Sequence, residues 1–266
     1  EVVACGANAP LVCCNAVGMN EQLVFDGNSL VLDADGNEIS NLPGFTSCFK
    51  VVDISKCGTD APKMRCIDVE DVHKGLVLGI QDYARKAGFG AIAMILNGNI
   101  ESSLVACLAV RALGADQVKV LIMPDECQSI ESVCRAVELA EKLGIEHKNI
   151  SVDVVKQSAD LVLGGILTDL DHPLVDQGVS SRIRAMLLMA YARSNNYLVL
   201  SSANKSDLSV GHQLLGGDSS HGLAVLSDVP KIIVHKLAHF SNNERELISK
   251  ALIELEEESS KKPHKY

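Results

Sequence analysis

Residues 90–112 read GAIAMILNGNIESSLVACLAVRA. The apolar run at 91–96 is too short for a helix and has the continuous hydrophobicity of a buried parallel strand, while residues 102–112 carry apolar side chains at helical spacing. The unit is strand, loop, helix. Its polar loop, Asn97-Gly98-Asn99-Ile100-Glu101-Ser102, falls at the C-terminal end of the strand and the N-terminal end of the helix. Unpaired backbone N–H groups and the positive end of the helix dipole favour an anion there, and a nucleotide phosphate is the natural occupant.

The chain around this unit has 266 residues, 47% of them hydrophobic, which is enough for a sizeable core in one large or two smaller domains. A formal net charge of −10 argues against a surface that tracks nucleic-acid phosphates or an anionic membrane. No uninterrupted apolar stretch has membrane-spanning length, and residues 1–17 lack the basic start of a signal peptide, so a soluble, cytoplasmic chain is expected. The nine cysteines are odd in number, scattered and without a Cys-x-x-Cys pair, as in a reducing compartment where thiols act as small hydrophobes.

Taken in order, residues 1–55 read as β-rich, with strands at 11–15, 23–25, 29–33 and 49–54 and turns at Asp26-Gly27 and Asp35-Gly36. Residues 33–38 (DADGNE) have the look of a calcium loop but lack its closing glutamate, and read as a tight turn. Residues 56–66 read as a linker. From Ile67 the period becomes helical, and strands expected at 118–123, 147–155 and 197–201 alternate with helices at 130–143, 179–193 and 229–240. This alternation over 67–240 predicts an α/β fold: a doubly wound, Rossmann-like parallel sheet with ligands at the C-terminal ends of its strands. Residues 241–266 read as an amphipathic helix, capped by Asn242 or Asn243, with Leu247, Ile248, Ala251, Leu252 and Leu255 on one face and a frayed end.

Several blocks in sequence order resemble the glutamine-dependent NAD synthetases: LVFDGNS at 23–29 with DADG at 33–36, RIRAMLLMA at 182–190, LVLSSANKSDLSVG at 198–211, Gly217-Asp218 and Asp228-Val229-Pro230-Lys231. The resemblance implies a synthetase domain similar to the adenine nucleotide alpha-hydrolases, preceded by a small remnant of a nitrilase-like glutaminase domain at 1–55. It also implies ATP and Mg2+ as cofactors: ATP adenylates the carboxylate of deamido-NAD, and ammonia displaces AMP. The positions that match the family's site are Asn97, Gly98, Asn99, Glu101, Ser102 and Lys231 for ATP and pyrophosphate, Arg182, Asn204 and Asp218 for substrate, and Glu101 with Asp207 for the metal.

The departures from the family pattern fall on this chemistry. Ser-Gly-Gly-x-Asp-Ser has become Asn97-Gly98-Asn99-Ile100-Glu101-Ser102, and the Asn-Lys-Ser-Glu block ends in Asp207. Asp125 and Glu126, read as solvated loop carboxylates, stand where hydroxyls would face the nucleotide; beyond Gly211 the family's threonine and tyrosine are missing. Each preorganised donor is typically worth about 3 kcal/mol at the transition state. The sequence therefore reads as an NAD-synthetase-like pseudoenzyme with a binding, assembly or structural role. The alternatives are an active ammonia-dependent synthetase with an unusual magnesium site and a different adenylating enzyme. The nitrilase-like catalytic residues are absent from the matched stretch, so no glutaminase activity is expected; Cys13 and Cys14 read as core thiols. A homo-oligomer is the expected assembly, and a further chain supplying the nitrilase-like half is a second candidate partner.

Overall fold

Period-two patterning ends near residue 41 and helical patterning starts at Val69, and the chain divides into two compact units, Glu1–Tyr83 and Ala84–Tyr266. The computed structural model describes residues 2–58, 67–125, 128–164, 173–211, 217 and 222–261.

The first unit opens with a short helix, α1 (Val2–Ala7), and continues into strands β1 (Leu11–Cys13), β2 (Val17–Asn20), β3 (Leu23–Asp26), β4 (Leu30–Leu32) and β5 (Glu38–Asn41). Strands β1, β4 and β5 form one antiparallel sheet, and β2 and β3 form a hairpin with Val17 opposite Asp26 and Asn20 opposite Leu23. The Asp35-Gly36 turn forms as expected, with Gly36 at φ +86°. Its anchor is Asp33, whose carboxylate accepts the N–H groups of Asn37 and Gly58, both at 2.8 Å. These bonds hold the Asp33 carboxyl below its ordinary range and make the segment a turn rather than a cation loop. Helix α2 (Val69–Lys86) follows, closed by Gly88 at φ +76°.

Two expectations fail in this unit, and two strands lie outside the expected set. Residues 49–54 form no strand: Phe49 and Val51 are 90% and 84% exposed, and the segment curls into a turn in which Asp53 caps the Ser55 N–H. Apolar residues alone do not make a strand where no neighbouring edge pairs with them. Cys13 and Cys14 are exposed, because β1 packs too little on either face; of the described cysteines only Cys107 is buried. Strands β2 and β5 were hidden by their glycine, asparagine and serine content. Of the 56–66 linker, residues 59–66 lie outside the described residues.

The second unit is the expected doubly wound α/β layer structure. Its elements are β6 (Ile92–Ile95), α3 (Ile100–Leu113), β7 (Val118–Ile122), α4 (Ile130–Leu143), β8 (Glu146–Asn149), α5 (Asp153–Leu163), α6 (Pro173–Asn195), β9 (Leu198–Ser201), α7 (Lys205–Ser209), β10 (Leu223–Ala224), α8 (Lys231–Ser241) and α9 (Lys250–Lys261). The five strands are all parallel, in the order β10-β9-β6-β7-β8. Strand β6 is buried along its whole length, as its unbroken apolar run requires. Ala93 and Ile95 pack with Ile183, Leu188 and Ala192 of α6, so Ile92 and Met94 face the opposite layer. Among the described residues no helix is long and apolar enough to cross a membrane.

The strand expected at 147–155 stops at Asn149: Ser151 accepts the N–H of Asp153 and starts α5, which the sequence reading missed along with α7 and β10. In the tail, Asn242 does cap the chain, accepting from Leu247 and Ile248 N–H at 2.9 and 3.0 Å, but the helix begins only at Lys250. That later start rotates the apolar face. Ile248, Leu252 and Ile253 are buried, whereas Ala251 is exposed and Leu255 is 66% exposed.

Candidate functional site

In a parallel sheet the strand order decides which loops meet. From β6 the chain winds outward through β7 to β8 on one side and later returns to β9 and β10 on the other, so the order reverses beside β6. Loops at the C-terminal ends of β9, β6 and β7 converge there, which is where a doubly wound sheet takes its ligand.

The β6 loop is shorter than the sequence implied. Asn99 has extended backbone and caps α3, its Oδ1 accepting the Ser102 N–H at 2.9 Å, so Ile100, Glu101 and Ser102 are the first turn of the helix. Asn97 Oδ1 accepts the Ser102 hydroxyl at 2.7 Å and the Asn99 N–H at 3.2 Å. Gly98 sits at φ +77°, and a Cβ there would lie 2.0 Å from the Ser132 carbonyl oxygen, so glycine is obligatory. Its own carbonyl accepts from Arg135 Nε at 3.2 Å, and the Asn97 carbonyl accepts from Gln128 at 2.8 Å. Neither Arg135 nor Gln128 was singled out in the sequence.

From β9 comes Asn204, fully buried at the start of α7. Its Oδ1 accepts the Asp207 N–H at 3.0 Å, and its Nδ2 donates to Asp207 at 2.6 Å and to Glu101 at 3.1 Å. Lys231 opens α8 behind Pro230, its backbone N–H bonded to Ser206 Oγ at 3.0 Å. Its ammonium pairs with Glu101 Oε1 and, at 2.7 Å, with Glu256 Oε2 from α9. The other oxygen of Glu256 accepts the N–H of Ile100 at 3.2 Å.

Charge follows from this crowding. Burial pushes the Glu101 carboxyl above its ordinary value, against the opposing pull of the Lys231 ammonium. Burial would lower Lys231, but the Glu101 carboxylate and hydrogen bonds to Glu101 and Glu256 outweigh it and hold the amine above its ordinary value. As metal ligands Glu101 and Asp207 fit poorly: both accept from Asn204 Nδ2, and the same Glu101 oxygen carries an ammonium. Among the described residues no group of three His, Cys, Asp or Glu could hold a metal ion.

Of the residues picked from sequence, Asn97, Gly98, Asn99, Glu101 and Ser102 share the β6 loop and helix start, and Asn204, Asp207 and Lys231 meet Glu101. Arg182 does not join them: it is exposed on α6 and donates to the Gly178 carbonyl of its own helix at 2.9 Å. Asp218 lies outside the described residues, as does Glu126. Asp125, read as a solvated carboxylate, is instead paired with Arg184 at 2.9 Å and largely buried, because β7 delivers it beside α6. Glu256 was missed altogether. The tail's acidic run marks an exposed helix face, and nothing in the sequence ties it to position 100 or 231.

A parallel doubly wound sheet with a capped helix N-terminus at its switch point and a lysine beside it defines a Rossmann-like α/β domain. The NAD synthase family model matches residues 72–255, and the chain belongs to that family. A glutamine-dependent NAD(+) synthetase of Synechocystis sp. is 36% identical over 251 residues, covering 92% of this chain and 45% of the relative. The structure of the glutamine-dependent NAD+ synthetase of Acinetobacter baumannii, in complex with ADP, superposes with a TM-score of 0.84 at 31% identity, over 94% of this chain and 49% of that one. An NMN synthetase from Francisella tularensis is similar at a TM-score of 0.63 and 25% identity, over 71% of this chain and 74% of that one. The chain thus spans about half the length of the glutamine-dependent synthetases it matches.

Proposed function

We propose that this chain is a non-catalytic member of the NAD synthase family that keeps the nucleotide-binding outline of the domain and uses it for binding, assembly or structure. The observation that carries the reading is the fate of Ser102. Both of its donors are consumed inside the loop, the N–H by Asn99 and the hydroxyl by Asn97, and these asparagines stand at two of the positions that depart from the family's Ser-Gly-Gly pattern. A phosphate arriving at the loop meets amide side chains already bonded to the groups it needs.

The reading is tested with the whole chain, ATP, Mg2+ or Mn2+, deamido-NAD and ammonia. No NAD is expected, and NAD formed at a rate proportional to protein would overturn it. One observation favours the second reading, an active ammonia-dependent synthetase: Glu101, Asn204, Asp207 and Lys231, all matched to family positions, meet in one hydrogen-bonded cluster. On either reading the chain works in the cytoplasm without nucleic acid or membrane. Its partners are a second copy of itself or a chain carrying a nitrilase-like half. Exposed Val12, Leu23 and Phe49 in the first unit offer apolar surface to the latter.

A further inference from the structure

Beside Ser102 and Asn99, which are bonded within the loop, the Ile100 N–H at the tip of α3 and the Lys231 ammonium are donors at the same site. One carboxylate takes both. Glu256 lies 156 residues beyond Ile100 and places Oε1 at 3.2 Å from its N–H and Oε2 at 2.7 Å from Lys231 Nζ. A carboxylate bridging a helix N-terminus and a lysine makes the contacts that two phosphate oxygens would make. We propose that Glu256 is a tethered competitor for this anion site, so that a polyphosphate ligand enters only by displacing the last described turns of α9. The proposal rests on reading the β6-α3 loop as a phosphate site.

The attachment of α9 fits such a role. Its base is fixed by apolar burial, with Ile248, Leu252 and Ile253 at 2%, 8% and 0% exposure. Beyond them the side-chain contacts are polar: Glu256 reaches Ile100 and Lys231, and Glu257 reaches His239 at 3.2 Å, while Leu255 points outward. Withdrawal therefore breaks charged hydrogen bonds without opening the core. The Ile100 N–H and the Lys231 ammonium serve either the Glu256 carboxylate or a phosphate, so occupation by ligand and by tail is mutually exclusive. A ligand that binds one tail position and excludes the other shifts the population between them.

The test uses the full chain. Wild type, E256Q and E256A are titrated calorimetrically with magnesium ATP and, separately, with magnesium pyrophosphate, and hydrogen exchange of residues 253–258 is followed in wild type. E256Q and E256A should bind about tenfold tighter than wild type, since one charged competitor is removed. In wild type, saturating ligand should speed exchange in the tail. The gain seen with both ligands assigns the competition to the phosphates; seen with ATP alone, it requires the nucleoside as well, and either result supports the displacement. Equal affinities across the three proteins, or binding that leaves tail exchange unchanged, overturns it while leaving the phosphate site standing. Absence of binding by any of the three overturns the phosphate-site reading and the proposal together. The exchange measurement in wild type stands even if a variant fails to fold.

Discussion

Lys231 holds Glu101 and Glu256 together: its ammonium touches one carboxylate from the first turn of α3 and, at 2.7 Å, another from α9. The start of α3 is thus joined to α8 and α9, more than a hundred residues later, by one side chain that is 26% exposed, between carboxylates 7% and 17% exposed. Such a cluster adds little net stability when complete, since desolvation offsets attraction, yet its loss in part is costly because the remaining charge stays in place.

Removal of the cation is the direct check. Lys231→Met leaves two like charges facing each other at the head of α3, and a destabilisation of about 2–3 kcal/mol at neutral pH is expected in urea unfolding. Glu101 already titrates above its ordinary value because it is buried, and without the ammonium it rises further. A carboxyl with a raised folded-state pKa favours folding when protonated, so the deficit of the variant shrinks as pH falls through that value and is fullest above it. The double variant K231M/E101Q should recover part of the loss. A midpoint equal to wild type at neutral pH would show that the cluster carries no strain to release.

Gly98 is the tightest backbone position of the site. Its φ of +77° and the Ser132 carbonyl oxygen 2.0 Å from an added Cβ combine strain with overlap against backbone that cannot swing away. Gly98→Ala is expected to cost about 2 kcal/mol or more in thermal or chemical unfolding, beyond the usual glycine-to-alanine effect at a left-handed position. A change within about 0.5 kcal/mol, the range of neutral surface substitutions, would mean that α4 shifts to make room.

The fold was legible where local pattern and tertiary environment agree. Residues 91–96 are uniformly apolar because β6 is covered on both faces, and the sequence unit at 90–112 gives strand, cap and helix nearly in place. Legibility fails where a contact spans the chain. Nothing local distinguishes Glu256 from Glu257 or Glu258, and only the register of α9, set by its start at Lys250, turns position 256 toward Lys231. The same register error placed Leu255 on the buried face and left out Ile253. Asp125 was misread for a related reason, since its partner Arg184 arrives from a helix 59 residues later. The cluster of Glu101, Asn204 and Lys231 was accessible only through the family resemblance, because their meeting depends on β9 lying beside β6.

His235 makes acid the vulnerable direction for α8. The ring is 5% exposed, and its Nε2 has no hydrogen-bond partner among the described residues. Burial, then the Lys231 ammonium, hold it below its ordinary 6.5, with His239 adding to the effect and Glu256 and Glu257 opposing it. The neutral ring is therefore the folded form. The stability that it contributes is present above 6.5 and is lost as pH falls through its lowered value. Wild type should lose stability below pH 6.5 more steeply than His235→Leu, whose curve lacks this group. Parallel curves for the two proteins would place the proton uptake elsewhere.

Asn97 and Asn99 offer a test in the direction of gain. Restoring serine and glycine at these positions in the double variant N97S/N99G removes the acceptors that now hold the Ser102 hydroxyl and N–H. Loss of the asparagine cap lowers α3 stability by a few tenths to about 1 kcal/mol, glycine being a tolerable cap and asparagine a good one. The freed donors are at the helix N-terminus, where an anion adds favourable charge and hydrogen bonds, so affinity for pyrophosphate should rise by about tenfold. Because Glu256 remains on Ile100 and Lys231, the gain should grow when E256Q is added, and the two effects should exceed their sum if one ligand uses both sets of donors. Affinity unchanged in the double variant would mean that the asparagines fill the loop without competing for ligand, and the non-catalytic reading would lose the observation that carries it.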